Sequence, residues 1–244
     1  KELLFEIIGE INLSCLKDYN SIELPITISN DDIKYKFLKE RHEILEKKIP
    51  NKSNIGVING LWANSMGQGG IIPIEARLFP STSFMDLKLT GLQGDVMKES
   101  MTVSKTLATT LVETSILKNK VKEMEETKIQ GIHIHCPEGS VPKDGPSAGT
   151  AITCSIYSLL INKKIKKNIA ITGEINLQGR VTAIGGLDLK ILGGIKGGVT
   201  EFIFPCENQK DYDEVVELYK EKDIMNGIKF HPVGHISEVL ELIF

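Results

Sequence analysis

The sequence predicts an α/β protein of the α+β kind, with mixed twisted sheets packed by helices and a short helical remnant in front. Three observations predict it. From about residue 125 onward, short strand-like runs alternate with amphipathic or apolar helical stretches. Before that, strand-like runs between Ile55 and Thr90 form a meander around a Gly-rich turn, and one long helical stretch follows. The composition, 41% hydrophobic and 25% charged over 244 residues, is that of a globular chain long enough to bury a substantial core.

The elements follow in order. LLFEIIGEINLSCL has helical apolar spacing, and DDIKYKFLKERHEILEKK is a charged amphipathic stretch with Ile33, Phe37, Ile44 and Leu45 as inward candidates. Pro50 and the polar NKSN then punctuate the chain, so residues 1–48 read as a helical remnant plus linker. IGVINGLWA and GGIIPIEARLF read as strands bracketing the turn at Met66–Gly70, and MDLKLTG alternates with period two. DVMKESMTVSKTLATTLVETSILKNK, opened by an acidic residue, is the longest helical candidate. GIHIHC is a strand, and PSAGTAITCSIYSLLI is a mostly apolar helix with Pro at its first position. NIAITG is a strand, EINLQGR a turn, LDLKILGGI a helix between glycines, and EFIFP a short buried strand. NQKDYDEVVELYK is an amphipathic helix, and IKFHPV and HISEVLELIF close the chain as strand and helix.

Composition also narrows the function. Lys+Arg 29 against Asp+Glu 32 gives a formal charge of −3, which lends no support to nucleic-acid or anionic-membrane partners. No apolar run approaches the ~18–20 residues of a spanning helix, and Lys1 to Glu10 lack the layout of a signal peptide. Cys15, Cys136, Cys154 and Cys206 include no CxxC pair and read as reduced, mostly buried thiols in a cytosolic or organelle-matrix setting. A chain starting with Lys rather than Met is expected to be a piece of a longer or processed protein.

The most informative segment is Pro137–Gly149, in which three glycines and three prolines in thirteen residues exclude a regular element. The chain leaves the GIHIHC strand into a shaped loop and enters a helix at Pro146, placing Ser147 in a first turn where unpaired amides and the helix dipole favour negative charge. A hydroxyl there can be a nucleophile whose oxyanion the amides stabilise, or simply a helix-start serine. Its base could be a histidine. His133 and His135 share one strand face beside the loop, while His42, His231 and His235 have no such placement; ordinary half-exposed strand residues are the plainer reading of the pair. The base could instead be a buried lysine, and Lys190 alone sits among apolar residues and glycines early in a helix, where desolvation and dipole both favour the neutral amine. A snorkelling lysine is the alternative. Metal ligation is unsupported, with neither H-E-x-x-H nor paired cysteines. S-x-x-K occurs three times (Ser14, Ser115 and Ser140 lead it) without its companion motifs, and no phosphate-binding glycine loop is present.

PKDGPSAG, residues 142–149, resembles the nucleophile motif of the ATP-dependent Lon proteases, a family of Ser–Lys dyad peptidases. ITGEINLQGRVTAIGGLDLK resembles the segment that ends in that family's catalytic lysine, and GLQGDVMKES and FPCENQKD are similar to further Lon segments. The likeness runs from about residue 54 to the C-terminus. It implies Ser147 as nucleophile, Lys190 as general base, Thr172 as the hydroxyl orienting the lysine, and Asp144, Glu138 and Gly139 as positions shaping the mouth of the site. GGLDLKILGG departs from the family's more charged stretch and leaves a single lysine there.

The resemblance further implies a division into residues 1–48, the end of the small helical subdomain of an AAA+ module plus linker, and 49–244, a serine protease domain. Peptide hydrolysis would need no metal or cofactor; ATP and Mg would act in the AAA+ module, in cis but missing from this sequence. The expected assembly is a homohexamer that degrades misfolded, damaged and regulatory proteins, without membrane or nucleic acid. The expected location is the mitochondrial matrix if eukaryotic, otherwise bacterial cytoplasm. A catalytically silent domain and a histidine-based hydrolase are the rival readings.

Overall fold

The computed structural model describes residues 2–17, 27–29, 31–37, 47–137, 144–220 and 223–244, and the chain divides into two units, 1–45 and 46–244. In the first, α1 (Glu2–Lys17) realises the apolar helical spacing; Ile7 is buried while Leu4, Phe5, Leu13 and Leu16 are exposed. A π-helical turn spans Asp32–Phe37, introduced by Ser29, whose amide and hydroxyl both donate to the Asp32 carboxylate. Ile33 is half-buried; of the other inward candidates, Ile44 and Leu45 lie outside the described residues together with His42, and so does the Phe37 side chain.

The second unit is built on a seven-stranded sheet. Its first strands are β1 (Asn54–Ile55), β2 (Val57–Ala63), β3 (Gly69–Phe79) and β4 (Leu87–Thr90), then α2 (Asp95–Leu111), α3 (Thr114–Thr127) and β5 (Gly131–His135). The single helix expected across 95–120 is thus two. Val112 takes an extended conformation and ends α2 after a run of Thr109, Thr110 and Val112, whose branched side chains weaken helical preference. After the loop come α4 (Gly149–Ile161), β6 (Lys164–Ile165), β7 (Ile169–Ile171), the small hairpin β8 (Glu174–Ile175) and β9 (Val181–Thr182), and α5 (Leu187–Lys196). The segment read as a plain turn at EINLQGR is the tip of that hairpin. β10 (Glu201–Pro205), α6 (Gln209–Tyr219), β11 (Lys229–Val233) and α7 (Ile236–Ile243) complete the unit.

The large sheet has the order β11-β10-β7-β2-β3-β5-β4. β11, β10, β7 and β2 pair in parallel, β3 is antiparallel to both its neighbours, and β4 is parallel to β5, so β3 alone runs against the rest. β-strand alternation sorts the side chains to two cores. Ile169, Ile171 and Ile203 join the core formed with α2, α4 and α7, while Ala170, Phe202 and Phe204 join the one formed with α5 and α6. α4 is buried almost all round, as its apolar sequence requires. Its buried hydroxyls are satisfied: Thr153 donates to the Gly149 carbonyl, Ser155 to that of Ile152 and Ser158 to that of Lys163. Buried Asn59 ties β2 to β7 by donating to the carbonyls of Lys167 (2.9 Å) and Ile169 (2.8 Å).

Candidate active site

Ser147 sits in a single 3₁₀ turn, Pro146–Ala148, that runs straight into α4. Pro146 starts the turn without an amide of its own, and a helix start leaves the amides of Ser147 and Ala148 without intrahelical acceptors. Two sets of contacts fix this turn. The Ser147 carbonyl accepts from Gly173 N (2.8 Å) and from Thr172 Oγ1 (3.3 Å), at the end of β7. In return the Gly173 carbonyl accepts from both the amide (3.1 Å) and the hydroxyl (2.9 Å) of Thr150. From the other side, Ser104 Oγ in α2 donates to the Gly149 carbonyl at 3.0 Å. α2 approaches so closely that a Cβ on Gly149 would lie 2.7 Å from Ser100 Oγ.

Lys190 projects from α5 toward the same strand end. It is 4% exposed, and its Nζ donates to Thr172 Oγ1 at 3.2 Å. Thr172 has one hydroxyl proton, and it is directed to the Ser147 carbonyl; its lone pairs are what the lysine meets. A neutral amine holding this bond keeps its own lone pair available. Burial pulls the Lys190 pKa down to about 8, because water no longer solvates the ammonium. The position of α5 depends on glycine. A Cβ on Gly69 would fall 2.0 Å from the Leu189 carbonyl oxygen, and one on Gly193 would lie 2.2 Å from Gly69. Strand and helix therefore touch backbone to backbone beneath the lysine. The approach to α5 is held by Asn208, which donates to the Ile184 carbonyl (2.8 Å) and accepts from its amide (2.9 Å).

The remaining candidates fall elsewhere. Asp144 is exposed, but its Oδ1 accepts from Met97 N (3.1 Å) and so caps α2, whose own N-cap is Gly94. Glu138 and Gly139 lie outside the described residues. His133 and His135 both bond the Thr90 hydroxyl. His231 lies 3.6 Å from the Glu201 carboxylate, and His235 caps α7 through Ser237 N. Among the described residues no group of three or more His, Cys, Asp or Glu side chains is placed to hold a metal ion. The supporting roles of Ser104, Thr150 and Gly69 were not visible in the sequence. The available signal was a set of hydroxyls at positions of a helix that otherwise reads as fully apolar.

A family model for the Lon protease (S16) C-terminal proteolytic domain matches residues 27–244. A Lon protease homolog of Acanthamoeba polyphaga mimivirus is 36% identical over 219 residues, 87% of this chain and 21% of that protein. Lon protease of Clostridium acetobutylicum is 41% identical over 197 residues, 80% of this chain and 23% of that protein, and that of Fusobacterium nucleatum is 38% identical over 199 residues, covering 82% and 24%. The chain thus spans between a fifth and a quarter of the length of these relatives.

Proposed function

Because the chain belongs to the Lon protease C-terminal proteolytic domain family, we propose that it is a serine endopeptidase in which Ser147 is the nucleophile and Lys190 the general base. The observation that carries this reading is the buried amine bonded to Thr172, whose hydroxyl in turn reaches the Ser147 carbonyl. In the proposed reaction neutral Lys190 takes the Ser147 proton as the oxygen attacks the scissile carbonyl. The amides of the Pro146–Ala148 turn stabilise the oxyanion. The lysine, now protonated, gives its proton to the leaving amine, and water then releases the acyl group with the lysine again acting as base. Thr172 orients the amine, and Asp144 anchors the end of the loop that precedes the nucleophile.

The wider reading rests on the relatives. Unfolded, damaged and regulatory proteins would be the substrates, delivered by an AAA+ module in cis within a homohexamer. ATP and magnesium would act in that module, and residues 1–48 are assigned to the end of its helical subdomain plus linker.

The test is hydrolysis of a fluorogenic peptide by Ser147→Ala and Lys190→Ala, both expected to lose activity while keeping the fold. A fluorophosphonate is expected to label Ser147. Retained turnover in either variant overturns the dyad; a failure to label supports a silent domain. Loss of the acidic limb of the pH profile in His133→Ala or His135→Ala, with Lys190→Ala active, would point to a histidine base.

A further inference from the structure

Among the described residues the second core takes none from β4 or β5, and none of its helices covers the face of the sheet where these strands and the end of β3 lie side by side. The side chains on that face are Glu75 and Arg77 from β3, His133 and His135 from β5, and Lys88 and Thr90 from β4, all half-buried or exposed. The register places Arg77, His133 and Lys88 in one rung across the three strands, and Glu75, His135 and Thr90 in the next.

When His133 is protonated, three like charges stand abreast, an arrangement from which a sheet gains nothing. Among the described residues neither Arg77 nor Lys88 has a carboxylate within ion-pair distance. Arg77 donates to the backbone carbonyls of Ile55 and Ala76, and Lys88 Nζ stands 5.9 Å from the centre of the Phe79 ring. The imidazoles are pinned rather than free. Thr90 Oγ1 lies 2.8 Å from His133 Nε2 and 2.7 Å from His135 Nδ1, and with one hydroxyl proton between them at least one ring must donate. The face is also linked along the chain to the candidate active site. β5 leads through Cys136 into the loop before Ser147, and β4 leads through Gly91–Gly94 into α2, where Asp144 docks. β4 is moreover the last strand of the sheet, with no strand paired to its outer side among the described residues.

We infer that this face of β3, β5 and β4 binds the carboxylate side chains of an acidic substrate segment lying beside the cleft, with Arg77 and Lys88 as its principal contacts. Charge complementarity selects the acidic segment, and the link along the chain to the nucleophile turn selects a polypeptide substrate; in that respect the inference rests on the peptidase reading. Burial, then Lys88, then His135 hold the His133 pKa below its usual value. A bound carboxylate opposes the effect of Lys88 and raises it. The charged groups facing the ring are Glu75 and Arg77 on β3, Lys88 on β4 and His135 on β5, and among them only Glu75 is acidic.

The experiment uses the full chain carrying Ser147→Ala, so that binding is read without turnover. Two peptides of equal length, one acidic and one neutral, are titrated while the histidine ring resonances are followed by NMR. The acidic peptide is expected to move the His133 and His135 signals and raise the His133 titration midpoint. Its affinity should tighten as pH falls from about 7.5 to about 5.5, as His133 charges while the peptide carboxylates stay ionised. It should also drop roughly fivefold in Lys88→Gln, an exposed change that leaves the core untouched, and fall with added salt. Equal binding of both peptides, or imidazole signals unmoved by the acidic one, overturns the inference. So does inorganic phosphate shifting those signals when the acidic peptide does not. A parent chain that binds acidic peptide but hydrolyses nothing sinks the peptidase reading and leaves the site; one that hydrolyses peptides with the imidazoles silent sinks the site alone.

Discussion

At Lys190 the needs of the proposed base and the needs of folding are opposed. Burial lowers the pKa from 10.5 to about 8, so the folded chain carries a disfavoured ammonium below that value. Between these two pH values the unfolded state holds more protons than the folded one, and stability therefore rises with pH across this window. Lys190→Met, which removes the charge, is expected to be inactive yet more stable by up to about 3 kcal/mol at neutral pH. The gain should vanish above the unfolded pKa, as read by denaturant melts at several pH values. For the parent, kcat/KM should climb with pH to a plateau, with a midpoint near 8 if the neutral amine is the base. Thr172→Val removes the lysine's acceptor and should lower kcat about tenfold, with KM much less affected. The sequence offered Lys190 as a candidate through its glycines and apolar neighbours, with a snorkelling lysine as the plainer reading, and Thr172 only through the family resemblance. The support from Thr150 was not legible: a hydroxyl meeting a carbonyl 23 positions away leaves no local pattern.

Among elements, the contact between β3 and α5 decides where the amine sits. Gly69→Ala should drive the helix away from the strand, lowering peptide hydrolysis at least about tenfold while destabilising the chain by about 1–3 kcal/mol; kcat and a denaturant midpoint measured together separate the two effects. The glycines on both sides were visible in the sequence, but their meeting required the tertiary structure, since nothing in MGQGG or LGG names its partner. Asp144 acts between elements in the same way. Its carboxylate supplies the cap that Gly94 lacks, so Asp144→Ala should cost roughly 1 kcal/mol in chemical denaturation, with Asp144→Asn restoring most of it through its carbonyl oxygen. The split of the expected long helix into α2 and α3 has a similar origin. Helical spacing continues through the break, and only the branched residues before Glu113 hinted at it.

For the whole molecule, the alternation of strands and helices was sufficient to predict a mixed sheet, since each run carries its period in its own residues. Strand order was not predictable, because β2 pairs with β7 and β4 with β5 across long stretches of chain. The division near residue 45 leads to a direct expectation. Residues 46–244 produced alone should unfold cooperatively, with a midpoint followed by the fluorescence of Trp62, the sole tryptophan. Ile49 packs against the second core and its amide donates to the Gly197 carbonyl, so removing four further residues should lower that midpoint. The central position of β7 has a temporal consequence as well. This strand joins β2, made early, to β10, made late, and its end holds both the serine turn and the lysine. On the proposed dyad, a chain emerging from the ribosome therefore has no assembled site until β10 has been made and has paired with β7.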